Sequence, residues 1–174
     1  LVVLIVYLCG LAGALAAGPL GVCALGLSSL AYLIVSSLKM SPRAERENAF
    51  PALTFALVLG GAALILLFTI GRKVTDMDSF EQWAYIVKKM YLSGSLLAAR
   101  GQYASTAAYP PGVALLQYYF AWFSPVFNEA DLFRARDILS LALLLPFFRR
   151  LEWPHWKTPL LLVPIVFLLP YLEY

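Results

Sequence analysis

Charge is scarce in this chain. Lysine, arginine, aspartate and glutamate together make up 13% of its 174 residues, about half the share of an ordinary soluble domain. There is one histidine, His155, and the two cysteines, Cys9 and Cys23, both sit inside apolar runs. Cysteines so placed act as small hydrophobes, and they form neither a disulfide framework nor a metal-ligand spacing. Also missing are a glycine-rich phosphate loop, a Ser-His-Asp set and a basic face interleaved with aromatics. These absences leave no nucleic-acid partner to argue for. No charged leader followed by a small-residue cleavage site opens the chain, so no signal peptide is read.

What takes the place of charge is apolar. Hydrophobic residues make up 61% of the chain, and its mean hydropathy is +0.78. They are blocked into runs of about membrane-spanning length. The expected fold is therefore all-α: a polytopic transmembrane helical bundle whose outer-face loop carries interfacial amphipathic helices. The net charge of +3 matters less than where the cations fall relative to the spans. Leu1 begins within one apolar run and Tyr174 closes another, which reads as part of a larger polytopic protein.

Taken in order, Leu1 to Ala17 and Val22 to Leu38 read as two spans, with Gly18-Pro19-Leu20-Gly21 as the turn between them. Residues 39–49 form a solvated loop. Phe50 to Ile70 runs 21 residues without a charge, where one Lys or Arg would cost about 2.5–3.5 kcal/mol. Thr75 to Tyr91 has apolar residues at helical spacing: Phe80, Trp83, Ala84, Val87, Met90 and Tyr91. Glu81, Gln82, Tyr85, Lys88 and Lys89 fall largely opposite. Such a helix is expected to lie flat in the interface. Ser93 to Ala108 reads as a flexible link.

Tyr109-Pro110-Pro111-Gly112 then opens the segment Gly112 to Phe127, which is crowded with belt-type aromatics. A last pair of apolar runs begins at Ile138, or as early as Leu132, and at Pro159. Whether Gly112 to Phe127 spans or lies flat is decided by charge. If it lies flat, the loops 39–49 and 149–157 share one face, each with three cations, as suits the cytoplasmic side. Residues 71–131 then lie on the outer face of a multi-pass cell-membrane protein. Three parts follow: leading helices in 1–38, a cytoplasmic loop in 39–49, and a transmembrane domain in 50–174 with its outer loop.

Chemistry concentrates at Asp76 and Asp78. Either residue suits an N-cap, and Asp78 with Glu81 approximates a capping pair. Either also suits a general base at the water boundary, its pKa tuned by partial desolvation and by Arg72 and Lys73. Lys88, Lys89 and Arg100 read as interface anchors or as cations for a lipid phosphate. Arg134, Arg136, Glu129 and Asp131 read as a solvated corner with local ion pairs. His155 has no companion and reads as an exposed loop residue.

Order and spacing of these motifs resemble the GT-C superfamily of membrane glycosyltransferases, in its protein O-mannosyltransferase and aminoarabinose-transferase branch. Trp83-Ala84-Tyr85-Ile86-Val87-Lys88-Lys89-Met90 with Ser93-Gly94 is similar to that branch's stretch after its catalytic acid. Tyr109-Pro110-Pro111-Gly112 looks like its Pro-Pro motif. Asn128-Glu129 with Arg134 or Arg136, before an apolar run ending Arg149-Arg150, looks like the beginning and end of its second span. The likeness covers about Phe50 to Tyr174.

It implies a polyprenyl-phosphate-linked sugar donor, an acceptor on the outer face, and Asp78 as general base with Asp76 as its alternative. Lys88, Lys89 or Arg100 would hold the donor phosphate, and Glu81, Trp83 and Tyr109 would line the site. Two departures stand out. The family's Asp-Glu pair is Asp78-Ser79 here, and Tyr109 replaces the basic residue before Pro. No metal ligands are assigned, and a divalent cofactor stays open.

Overall fold

The computed structural model describes residues 1–39, 52–75, 84–96 and 112–148. They form six helices: α1 (Val2–Leu11), α2 (Ala17–Lys39), α3 (Ala52–Phe68), α4 (Tyr85–Ser93), α5 (Gly112–Ala121) and α6 (Ala130–Phe148). No strand occurs among the described residues. The chain divides into two compact units, Leu1–Lys39 with Gly71–Ala135, and Met40–Ile70 with Arg136–Tyr174. The leading helices thus pack with the 71–135 segment.

In the first unit, α1 packs on α2 and α5, and α4 packs on α5. The expected turn at Gly18-Pro19-Leu20-Gly21 is not where the chain reverses. α1 ends at Leu11, the reversal falls on Ala12 to Ala16, and Gly13 takes φ 77° within it. Gly18 and Pro19 instead open α2. Proline is tolerated there because the first-turn N–H groups have no intrahelical acceptor anyway. Gly18 has a packing reason. A Cβ on it would stand 2.8 Å from the Val6 Cα, so the two helix backbones cross at a distance only glycine permits.

Within α2, Ala17–Ser36 is the one described helix long and apolar enough to cross a membrane. Its residues from Ala24 through Val35 are exposed along their whole circumference. The Ser28 hydroxyl donates to the Ala24 carbonyl at 2.8 Å and Ser36 to Leu33 at 2.9 Å. Both polar groups are thereby satisfied inside the helix, as an apolar surrounding requires. α1 and Ala56–Phe68 are shorter apolar helices.

α4 carries the amphipathic pattern read from the sequence. Ala84, Val87 and Met90 are buried, while Lys88 is exposed. The apolar face is covered by protein: Val87 and Met90 join Leu115 and Tyr118 of α5 and Val6 and Leu15 of the leading segment in one core. Each such side chain contributes about 1.5–3 kcal/mol on burial from water. α4 ends on Gly94 at φ 64°, whose N–H donates to the Met90 carbonyl at 2.9 Å. α5 stops at Ala121, short of the expected Phe127, because residues 122–129 make an irregular turn.

In the second unit, the Thr69 hydroxyl donates to the Ile65 carbonyl at 2.7 Å at the end of α3. α6 begins in the first unit, at Ala130, and runs on into the second from Arg136. It starts earlier than either expected position, since the Asn128 side-chain oxygen accepts the Ala130 N–H at 3.1 Å and caps the first turn.

The glycine crossing yields a test. Gly18→Ala forces a backbone shift and lowers stability by about 1–3 kcal/mol. Gly26→Ala, where nothing lies within 4 Å, is neutral or stabilising by up to about 1 kcal/mol. Thermal unfolding of the two variants in one detergent checks this; equal midpoints would show that the crossing is slack.

Candidate functional site

The described residues bring together a polar corner where the 122–129 turn meets the start of α6. Asp131 is its centre, 3% exposed. Its Oδ2 accepts the Ser124 hydroxyl at 2.5 Å, and its Oδ1 pairs with Arg134 Nη1 at 2.6 Å. The Ser124 carbonyl accepts the Tyr91 hydroxyl of α4 at 2.7 Å. Tyr91 and Phe127 rings pack at 5.7 Å. Together these contacts tie α4, the turn and α6 into one piece.

A second tie reaches further along the chain. Glu129 Oε2 accepts the Val74 N–H at 2.8 Å across 55 residues, and Arg72 lies over the Phe133 ring with its Cζ 4.3 Å from the centroid. The segment leading into Thr75 is therefore held against the beginning of α6. Arg134, Glu129 and Asp131 were expected at a solvated corner. The local ion pair is present, but Asp131 is buried and Glu129 is half-buried, because the turn folds over them. Arg136 and Asp137 also make a local pair, at 3.5 Å.

Among the expected site residues, Asp76, Asp78, Glu81, Trp83, Arg100 and Tyr109 lie outside the described residues. Lys88 is exposed on α4 with its Nζ 5.8 Å from the Phe127 centroid. Lys89 is half-buried over Tyr85 at 4.7 Å. The two lysines thus face different aromatic partners. Cation–π contacts of this kind contribute about 0.5–1 kcal/mol where exposed. Among the described residues, no group of three His, Cys, Asp or Glu side chains gathers to hold a metal.

Ser124, Phe127 and the bond from Glu129 to Val74 escaped the sequence reading. Ser124-Pro125 and Asn128 are turn and cap residues and mark the turn in hindsight. Nothing local announces a contact 55 residues away. Tyr118 sits beneath the corner. Burial, and secondarily the neighbouring Tyr91, raise its hydroxyl above the ordinary 10.0. Comparison with protein-family models, curated proteins and solved structures found no match for this chain.

Two measurements follow. Asp131→Ala removes the acceptor of the Ser124 hydroxyl and the carboxylate paired with Arg134, at about 1–3 kcal/mol. A double-mutant cycle with Ser124→Ala should return a coupling energy; simple additivity would mean the two do not interact. A raised Tyr118 pKa means that its stabilisation is complete below pH 10.0 and is lost as pH rises through the folded value. Tyr118→Phe should flatten the alkaline limb of the unfolding profile.

Proposed function

We propose that this chain belongs to an integral membrane glycosyltransferase that moves a sugar from a polyprenyl-phosphate donor to an acceptor on the outer face. In this reading α3 and the later part of α6 are spans in addition to α2, and residues 71–131 form the outer loop. α5 has ten residues and rises about 15 Å, half of a hydrocarbon core of roughly 30 Å. Its length favours a helix at the boundary over a span.

The observation that carries the reading is the bond from Val74 N–H to Glu129. It fixes the backbone two residues before Asp76 against the start of α6, in the same unit as the membrane-long α2. Ala84, at the other end of the acidic stretch, is packed into the core of that unit. A stretch anchored at both ends is suited to present a carboxylate at the water boundary. Asp78, or Asp76, then takes a proton from the acceptor. The acceptor atom bonds to the anomeric carbon as the bond from that carbon to the phosphate oxygen breaks, and the lipid phosphate leaves with the electron pair. Lys88, Lys89 or Arg100 steadies that phosphate, and Glu81, Trp83 and Tyr109 line the site.

One observation favours a second reading, a non-enzymatic polytopic protein such as a lipid-glycan flippase or polymerase partner. Lys88 and Lys89 lie over separate aromatics, as ordinary interface anchors do. The full-length protein distinguishes the two. Under the transferase reading, Asp78→Asn or Asp76→Asn abolishes sugar transfer in reconstituted membranes while unfolding is little changed. Under the second reading each substitution removes only a cap, about 1 kcal/mol, and retained transfer would remove both carboxylates from the chemistry.

A further inference from the structure

The turn after α5 exposes apolar side chains that nothing in its own unit covers. Phe123 is 54% exposed and Val126 73%, and Leu92, next in the chain to the Tyr91 that is bonded to the turn, is 71% exposed. These are not the tips of a slack loop. Ser124 is fixed through its carbonyl to Tyr91 and through its hydroxyl to Asp131. The Phe123 ring packs edge-on against Tyr119 at 5.2 Å and Trp122 at 5.4 Å. These contacts hold the turn with its apolar residues outward.

What covers them is indicated by the next contact inward. Tyr119 of α5 and Val22 of α2 pack against the same core, and Cys23 is a near neighbour of the Tyr119 side chain. Cys23 precedes Ala24, where the fully exposed stretch of α2 begins, so the helix that carries the turn meets α2 next to its exposed, membrane-long stretch. Depth agrees as well. Cys23 is six residues in from Ala17, the first residue of the membrane-long segment, or about 9 Å along the helix. Interfacial elements bury their apolar face by roughly 5–10 Å. Charge agrees too: exposed Lys88 stands over Phe127 at the edge of the patch, where an anionic headgroup would lie.

We infer that the turn 122–127, flanked by Leu92 and Lys88, is a rigid wedge seated at the headgroup–acyl boundary of a bilayer containing anionic phospholipid. This rests on α2 crossing the membrane and not on the transferase chemistry. It draws Lys88 to a phospholipid headgroup and leaves Lys89 and Arg100 for a donor phosphate.

The test uses the full-length protein with Cys9→Ala and Cys23→Ser, labelled with an environment-sensitive fluorophore at Val126→Cys and, separately, at Leu92→Cys. Each is reconstituted in nanodiscs of phosphatidylcholine with and without phosphatidylglycerol. Both labels should lose fluorescence to lipids brominated high on the acyl chain, less to lipids brominated near its end, and little to aqueous iodide. Phosphatidylglycerol should deepen the shallow quenching, and Lys88→Gln should remove that increment. Quenching by iodide alone would overturn the proposal in favour of a solvent-facing turn. Protection from every quencher would overturn it in favour of a protein contact. An unchanged increment in Lys88→Gln would overturn the assignment of the lysine. Sugar transfer, measured on the unlabelled protein, succeeds or fails independently of these outcomes.

Discussion

The apolar face of α4 closing on α5, with Val6 and Leu15 beneath, is the contact on which the rest of the first unit depends. Val87, Met90, Leu115 and Tyr118 are all removed from solvent there. Hydrophobic burial of this kind is non-directional, so it brings the helices together without choosing their register. Directional bonds do that: Tyr91 to the Ser124 carbonyl, Ser124 to Asp131, and Val74 to Glu129. Apolar contact supplies most of the free energy, and a few hydrogen bonds select one arrangement.

That division of labour explains why a chain with so little charge places several charges in one corner. Asp131 is buried, and an unpaired carboxylate there would be costly. Arg134 on the next turn of the same helix and Ser124 on the turn beside it satisfy both of its oxygens. A buried pair of this sort is weak support for net stability, since desolvation offsets much of the attraction. Its contribution is to specify geometry. It locks the turn, and through the turn it fixes where Phe123 and Val126 point and where the backbone leading into the acidic stretch is held.

The two functional readings and the wedge stand on different parts of this arrangement. The proposed glycosyl transfer would use carboxylates between Val74 and Ala84, two residues that are themselves held in the first unit. The lipid wedge depends on the outward side of the same turn that does part of the anchoring.

Composition and hydrophobic patterning were enough to establish helices, a membrane-length apolar segment, and which side of α4 is greasy, because each follows from spacing along a few turns of chain. The same local logic misplaced the first reversal. Gly18-Pro19 carries turn chemistry in isolation, yet a glycine also lets two helices cross closely and a proline also opens a helix. Which use prevails depends on Val6, a residue from another helix. It also ran α5 on to Phe127, since nothing in the composition of Trp122 to Phe127 distinguishes an aromatic helix from an aromatic turn pinned by Tyr91 and Asp131. The bond between Val74 and Glu129 and the pairing of the leading helices with residues 71–135 are long-range contacts. They exist only once the chain has collapsed, and no window on the sequence is wide enough to contain both partners.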